Sequence, residues 1–120
     1  MRDFKTLNIW QDGMELVKAV YQIVELLPND EKFGMRSQMT RAAISIPSNI
    51  AEGCSRDSQK DFKRFLEIAL GSAFELETQI LILIEISILK IDEIQLLLDN
   101  LTKLKKQINS LIQKLKANSQ

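Results

Sequence analysis

From Ile94 to Leu115, apolar residues recur in alternating steps of three and four: Ile94, Leu97, Leu101, Leu104, Ile108, Leu111 and Leu115. A strand brings every second residue to one face, whereas a helix of 3.6 residues per turn brings together residues three and four apart. The segment is therefore helical, and a seam of this length needs other helices against it to leave water. Leu98 and Ile112 flank the seam and add apolar surface beside it. Only four glycines and two prolines punctuate the whole 120-residue chain, which leaves room for long helices and few turns.

Three earlier segments carry the same period. In the first, Trp10, Met14, Val17, Tyr21 and Val24 form the expected inward face, with Asn8 and Gln11 spaced as an N-terminal capping pair. "LPNDEKFG" (27–34) breaks that pattern with Pro28 and Gly34. The second segment turns Met35, Met39, Ala42, Ile46 and Ile50 inward and ends at Gly53, a residue suited to a helix stop. The third opens with Ser58 and Asp61 at capping-box spacing. Its apolar set is Phe62, Phe65, Leu66, Ala69, Ala73, Leu76, Ile80, Leu83 and Ile84. Its small residues Gly71, Ser72 and Ala73 invite a close neighbour. The fourth begins with Asp92 as cap, Gln95 three residues on, and Ile91 and Leu96 placed as a hydrophobic staple.

These segments predict helices over about 9–27, 35–52, 59–89 and 93–116, in a single domain spanning 1–120. Short connections make sequential helices antiparallel, so the expected fold is all-α, an up-down-up-down four-helix bundle. The last two helices outrun the first two, and the apolar surface they cannot cover within the chain points to a subunit interface.

Composition removes several chemistries. The chain has no histidine and one cysteine, Cys54. It can therefore form neither an imidazole base, nor a Glu-x-x-His di-metal site, nor an internal disulfide. Neither G-x-x-x-x-G-K nor G-x-G-x-x-G occurs, so no phosphate-cradling loop is expected. Cys54 lies near Arg56, which would lower a thiol's pKa, but without a base an incidental thiol is the expectation. The chain is expected to be no enzyme and to carry no metal or cofactor. "MRDFKTLNIW" has no apolar signal core, and "ILILIEISILKI" (80–91) is too short to span a bilayer and contains Glu85. A cytoplasmic protein without membrane contact is expected.

Sixteen basic and sixteen acidic residues balance, but they are not evenly placed. Arg56, Lys60, Lys63 and Arg64 surround the start of the third segment, with Asp57 and Asp61 among them. Lys103, Lys105, Lys106, Lys114 and Lys116 follow Asp99, after which no acid occurs. In an antiparallel bundle both groups fall at one end, joined by Arg2 and Lys5, while Asp30, Glu31, Glu85, Asp92 and Glu93 collect at the other. Arg56, Lys60, Lys63, Arg64, Lys105, Lys106, Lys114 and Lys116 are the candidate nucleic-acid contacts. A solvated basic surface is the plainer alternative, because lysines near a helix C-terminus offset its dipole and Lys63 can pair with Glu67.

Pro47 interrupts the second segment. It lacks the backbone donor, and its ring presses on the carbonyl of Ala43, so a kink is expected there. Two readings stay open: a bent helix with a solvated polar side, or a kink that directs Arg41, Ser45, Pro47, Ser48 and Asn49 at a partner subunit or ligand.

"RAAISIPSNIAEG" (41–53), then "FKRFLEIALGSAFELETQI" (62–80), with "FKTLNIWQDGMELV" (4–17) before them, resembles a bacterial family. It is the four-helix-bundle family encoded in intervening sequences of 23S ribosomal RNA genes. The resemblance covers residues 4 to about 90, with the phrases in the family's order and spacing; residues 91–120 agree only in being an amphipathic helix. It implies a bundle that assembles as a ring, typically a homopentamer. A related protein, the accessory protein of diversity-generating retroelements, implies partners such as RNA, DNA or a reverse transcriptase-like protein. The expected function is a non-enzymatic oligomeric module that binds nucleic acid or a nucleoprotein through a basic end. The alternative is a protein-binding scaffold with no nucleic-acid contact.

Overall fold

Four helices, α1 (Asn8–Val24), α2 (Met35–Cys54), α3 (Gln59–Glu85) and α4 (Ile91–Asn118), run alternately up and down, and no strand occurs among the described residues. The computed structural model describes residues 2–31 and 34–118, with the Glu31 side chain outside that description. Contacts join each helix to the next: Gly13 lies against Pro47, the Ser45 and Ser72 hydroxyls are 2.8 Å apart, and Lys105 pairs with Glu77. Each helix packs on its two neighbours in the square order α1, α2, α3, α4. The rod measures 47 × 21 × 20 Å. Its length matches the 27 residues of α3, which rise about 40 Å at 1.5 Å each.

The core follows the period in α2, α3 and most of α4. Met39, Ala42, Ile46 and Ile50 are buried against Leu66, Ala69, Ala73, Leu76, Ile80 and Leu83. On α4 the seam Ile94, Leu97, Leu101, Leu104 and Ile108 continues through Ile112 rather than Leu111, which is half-buried. Over the roughly five turns from Ile94, a straight helix of 3.6 residues per turn drifts off the 3.5-residue rhythm and brings Ile112 back onto the face of Ile94.

The inward face of α1 differs from the expected one. Ile9, Gly13, Leu16, Val20 and Val24 are buried, whereas Met14 and Tyr21 are 46% and 48% exposed. Gly13 is the residue that faces α2: an ideal Cβ there would sit 3.4 Å from Pro47 Cβ, in ordinary van der Waals contact, so a bulkier side chain has no room at this position. Trp10 and Val17 end up half-buried on the flank.

Several helix ends also shift. Leu7, not Asn8, is the N-cap of α1 and provides no side-chain cap; Gln11 instead donates its Nε2 to the Lys5 carbonyl at 2.8 Å. α1 stops at Val24 instead of about 27. Gly53 is an interior helical residue, not a left-handed stop. It is glycine for space, since a Cβ would lie 2.9 Å from Phe65 Cβ. Gly71, by contrast, faces open space and brings no helix closer.

α3 ends at Glu85 rather than 89, in a Schellman turn. Ile88 N–H reaches Leu83 O at 2.9 Å, Ser87 N–H reaches Ile84 O at 3.0 Å, and Ser87 has φ 65°. Glycine usually fills such a position, so the sequence hid this stop. Ser58 caps α3 as expected, accepting from Asp61 N–H at 3.0 Å. On α4 the cap moves two residues earlier, to Lys90, whose N–H donates to Glu93 Oε1 at 3.1 Å. The staple pair is then Leu89 and Ile94, both buried, while Ile91 and Leu96 are exposed.

Two kinds of substitution test this packing by thermal unfolding. Gly53→Ala should lower the midpoint: a clash of that size costs roughly 1–3 kcal/mol, against a helix-propensity gain of about 1 kcal/mol. Gly71→Ala should raise it, because only the gain of about 1 kcal/mol applies. Ser87→Gly should raise it too, relieving a left-handed residue that costs roughly 1–2 kcal/mol. A stabilised Gly53→Ala protein would contradict the close α2–α3 junction.

Candidate interaction surfaces

All five kink and interface candidates come together on the outer flank of α1 and α2. Pro47 and Ser48, with Trp10, Met14, Val17 and Ile44, line an apolar hollow of about 300 Å³. Arg41, Ser45, Ser48 and Asn49 line its polar continuation along α2. α2 runs on through Pro47 as a single helix. The Asn49 side chain braces this stretch, its Nδ2 donating to Ser45 O at 2.7 Å and to Ser45 Oγ at 2.9 Å. Ser45 Oγ then bonds Ser72 on α3, so the turn around Pro47 is tied to the neighbouring helix by side chains. Met14, Tyr21 and Ile44 expose large apolar surfaces here. The sequence carried the signal for this flank: α1 has two apolar stripes, and only one fits against the core.

On the opposite flank, α3 exposes Phe74 at 55% and Leu81 at 48%. Phe74 borders a groove with Leu70, Thr102, Lys105 and Lys106. Lys105 Nζ lies 4.5 Å from the Phe74 ring centre while pairing with Glu77. That lysine is half-buried and engaged, so it acts as a brace between α3 and α4.

The structure splits the remaining basic candidates by position and by partner. The N-terminal segment is fastened to the end of α2 by Arg2 N–H to Cys54 O at 3.0 Å, and the Arg2 guanidinium stacks 4.1 Å over Phe62. Arg56 and Arg64 both lie over Phe65, at 5.0 and 4.7 Å. Each also faces an acid, Arg56 with Glu52 at 3.6 Å and Arg64 with Asp61 at 4.0 Å. Lys63 pairs with Glu67 at 3.7 Å. Exposed pairs of this kind are worth about 0–1 kcal/mol, so they dilute the local charge more than they immobilise it. Lys60 is exposed and enters no ion pair among the described residues. Lys116 lies in the last turn of α4.

The lysine run 103–106 lies near mid-height, not at the basic end. Glu77, which meets Lys105, is 18 residues into α3, roughly 27 Å from its start. Lys103, Lys106 and Lys114 instead line a cleft of about 650 Å³ between the start of α1 and α4, with Asn8, Gln107 and Ser110.

Cys54 is a buried free thiol. Burial pushes its pKa up; the guanidinium beside it is that of Arg2 rather than Arg56, and offsets only part of the rise. Among the described residues no three cysteine or acidic side chains converge as a metal-holding group. No helix among them is long and apolar enough to cross a membrane.

Known proteins share this arrangement. The chain is similar to the crystal structure of a protein of unknown function from the S23 ribosomal protein family of Bacteroides thetaiotaomicron VPI-5482. The TM-score is 0.80 at 28% identity, over 87% of this chain and 97% of that one. No curated protein matches significantly. The family described as 23S rRNA-intervening sequence protein matches residues 5–110, which takes in α1, α2, α3 and most of α4. By that match and by its four-helix fold, the chain belongs to the 23S rRNA-intervening sequence protein family.

Proposed function

We propose that this protein is a non-enzymatic, oligomeric bundle that binds RNA or DNA, or a nucleoprotein such as a reverse transcriptase-like partner, in the cytoplasm. The observation that carries the reading is the charge of α4. After Asp99 the helix has no acid, and Lys106 and Lys114 stand on its surface without an ion pair among the described residues. A copy with net charge zero gains nothing from indiscriminate attraction to polyanions, so any affinity must come from such local concentrations. Repeating them around a ring would multiply weak contacts into useful avidity.

Self-association is supported by two apolar flanks on opposite sides of the rod: Met14, Tyr21 and Ile44 on one, Phe74 and Leu81 on the other. Different surfaces meeting head to tail close a ring when the rotation permits, and the family resemblance favours a homopentamer. A protein-binding scaffold is the second reading, favoured by the overall neutrality and by the apolar α1–α2 hollow.

Retention of the intact protein on RNA separates the two. Affinity for a labelled single strand should fall linearly in log–log with salt, by about 0.7 per phosphate neutralised, and by about 0.9 on duplex DNA. Absence of binding even at roughly 50 mM salt, where such contacts are strong, would leave the scaffold reading in its place.

A further inference from the structure

The cleft between α1 and α4 is built differently from the other surfaces, and we propose that it seats the phosphate backbone of a nucleic-acid strand. This rests on the nucleic-acid reading above and places the contact on Lys106 and Lys114, away from the start of α3.

Three features converge on the cleft. Its volume of about 650 Å³ is within the 300–1,000 Å³ typical of ligand sites. Lys106 and Lys114 lie eight residues apart on one helix, so their Cα atoms stand about 12 Å apart along the axis, with Ser110 one turn from each. Lysines so spaced on one wall, with a hydroxyl between them, suit a chain of phosphates better than a single small anion. The opposite wall is the start of α1, a 17-residue helix with no side-chain cap and no acid in its first turn. Its positive dipole end is therefore uncompensated where Asn8 and Ile9 border the cleft.

The negative groups nearby set the limits of the site. Asp99 lies at one margin, where it accepts a hydrogen bond from Gln95 Nε2 at 2.9 Å. Lys103 stands between the cleft and a smaller hollow lined by Asp12 and Glu15, so its charge is shared with those carboxylates. Positive potential therefore grows from Lys103 toward Lys114, and the two unshared lysines define the track. By contrast Arg56, Lys63 and Arg64 each face a carboxylate within 4.0 Å, and two of them are stacked on Phe65. The cleft lies on the flank between the two apolar ones; Lys106 borders both it and the Phe74 groove, so ring contacts through that flank would approach Lys106 and leave the Lys114 end open.

The test compares the wild-type protein with the double variant Lys106→Gln/Lys114→Gln on a fluorescein-labelled single-stranded RNA, titrated with salt. Lys18→Gln/Lys90→Gln, which removes the same charge from exposed positions elsewhere, is the control. Loss of two phosphate contacts should weaken binding roughly 25-fold at 0.1 M salt and flatten the log–log slope by about 1.4. The control should keep the wild-type slope, and Lys106→Arg/Lys114→Arg should retain binding. Unlabelled RNA should displace the probe, while inorganic phosphate or ATP at the same phosphate concentration should not. Competition by ATP as strong as by RNA would make this a small-anion site and overturn the strand assignment. A wild-type slope in the cleft variant, or an equal loss in the control, would overturn the cleft while leaving nucleic-acid binding intact. No binding by the wild type would remove both. Circular dichroism and particle mass of each variant exclude unfolding as the cause of a loss.

Discussion

The contact of Gly13 with Pro47 sets the orientation on which the outer surfaces depend. Both residues are buried, and a Cβ at position 13 would already touch the proline ring in ordinary van der Waals contact, so this spacing leaves room for a methyl group at most. That approach rotates α1 so that Ile9, Leu16, Val20 and Val24 fill the core. The second stripe of α1, with Met14 and Tyr21, is then left on the flank beside Ile44. The same rotation lays the start of α1 beside Lys106 and Lys114. The proline that interrupts α2 thus has a packing partner, and the backbone around it is braced by Asn49 and Ser45.

Much of the fold was legible because helical period and burial coincide in α2, α3 and the first part of α4. Ile46, Leu66, Leu76 and Leu101 sit where the rhythm put them. The inward face of α1 is ambiguous in the sequence because two stripes of similar hydrophobicity compete there, and periodicity weighs side chains that are present, not a glycine that permits approach. The end of α3 was hidden by Ser87, which adopts a left-handed conformation without the glycine that usually announces it. The start of α4 was placed late because its cap is a backbone N–H held by Glu93, with no Ser, Thr or Asp at the cap position itself.

The candidate sites were legible in a different proportion. Arg41, Ser45, Pro47, Ser48 and Asn49 stand together in the sequence as kink and interface candidates, and they lie on one flank. The order of helices in the sequence predicts the basic residues at a single end, but a one-dimensional count cannot tell which cations face carboxylates. Lys63 and Arg64 meet acids a turn away, and Lys105 is taken up by Glu77 on another helix. Asn8 and the α1 terminus gained their place beside the α4 lysines only through tertiary packing. A neutral chain can therefore concentrate charge in a cleft that composition does not reveal.

If the rotation of α1 leaves apolar flanks for self-association, light scattering on the protein at micromolar concentration tests it most directly. The account predicts a particle several times the 13.8 kDa chain mass, five times for a pentameric ring, and its collapse toward one chain mass in Ile44→Glu. A wild-type particle of 13.8 kDa would contradict it.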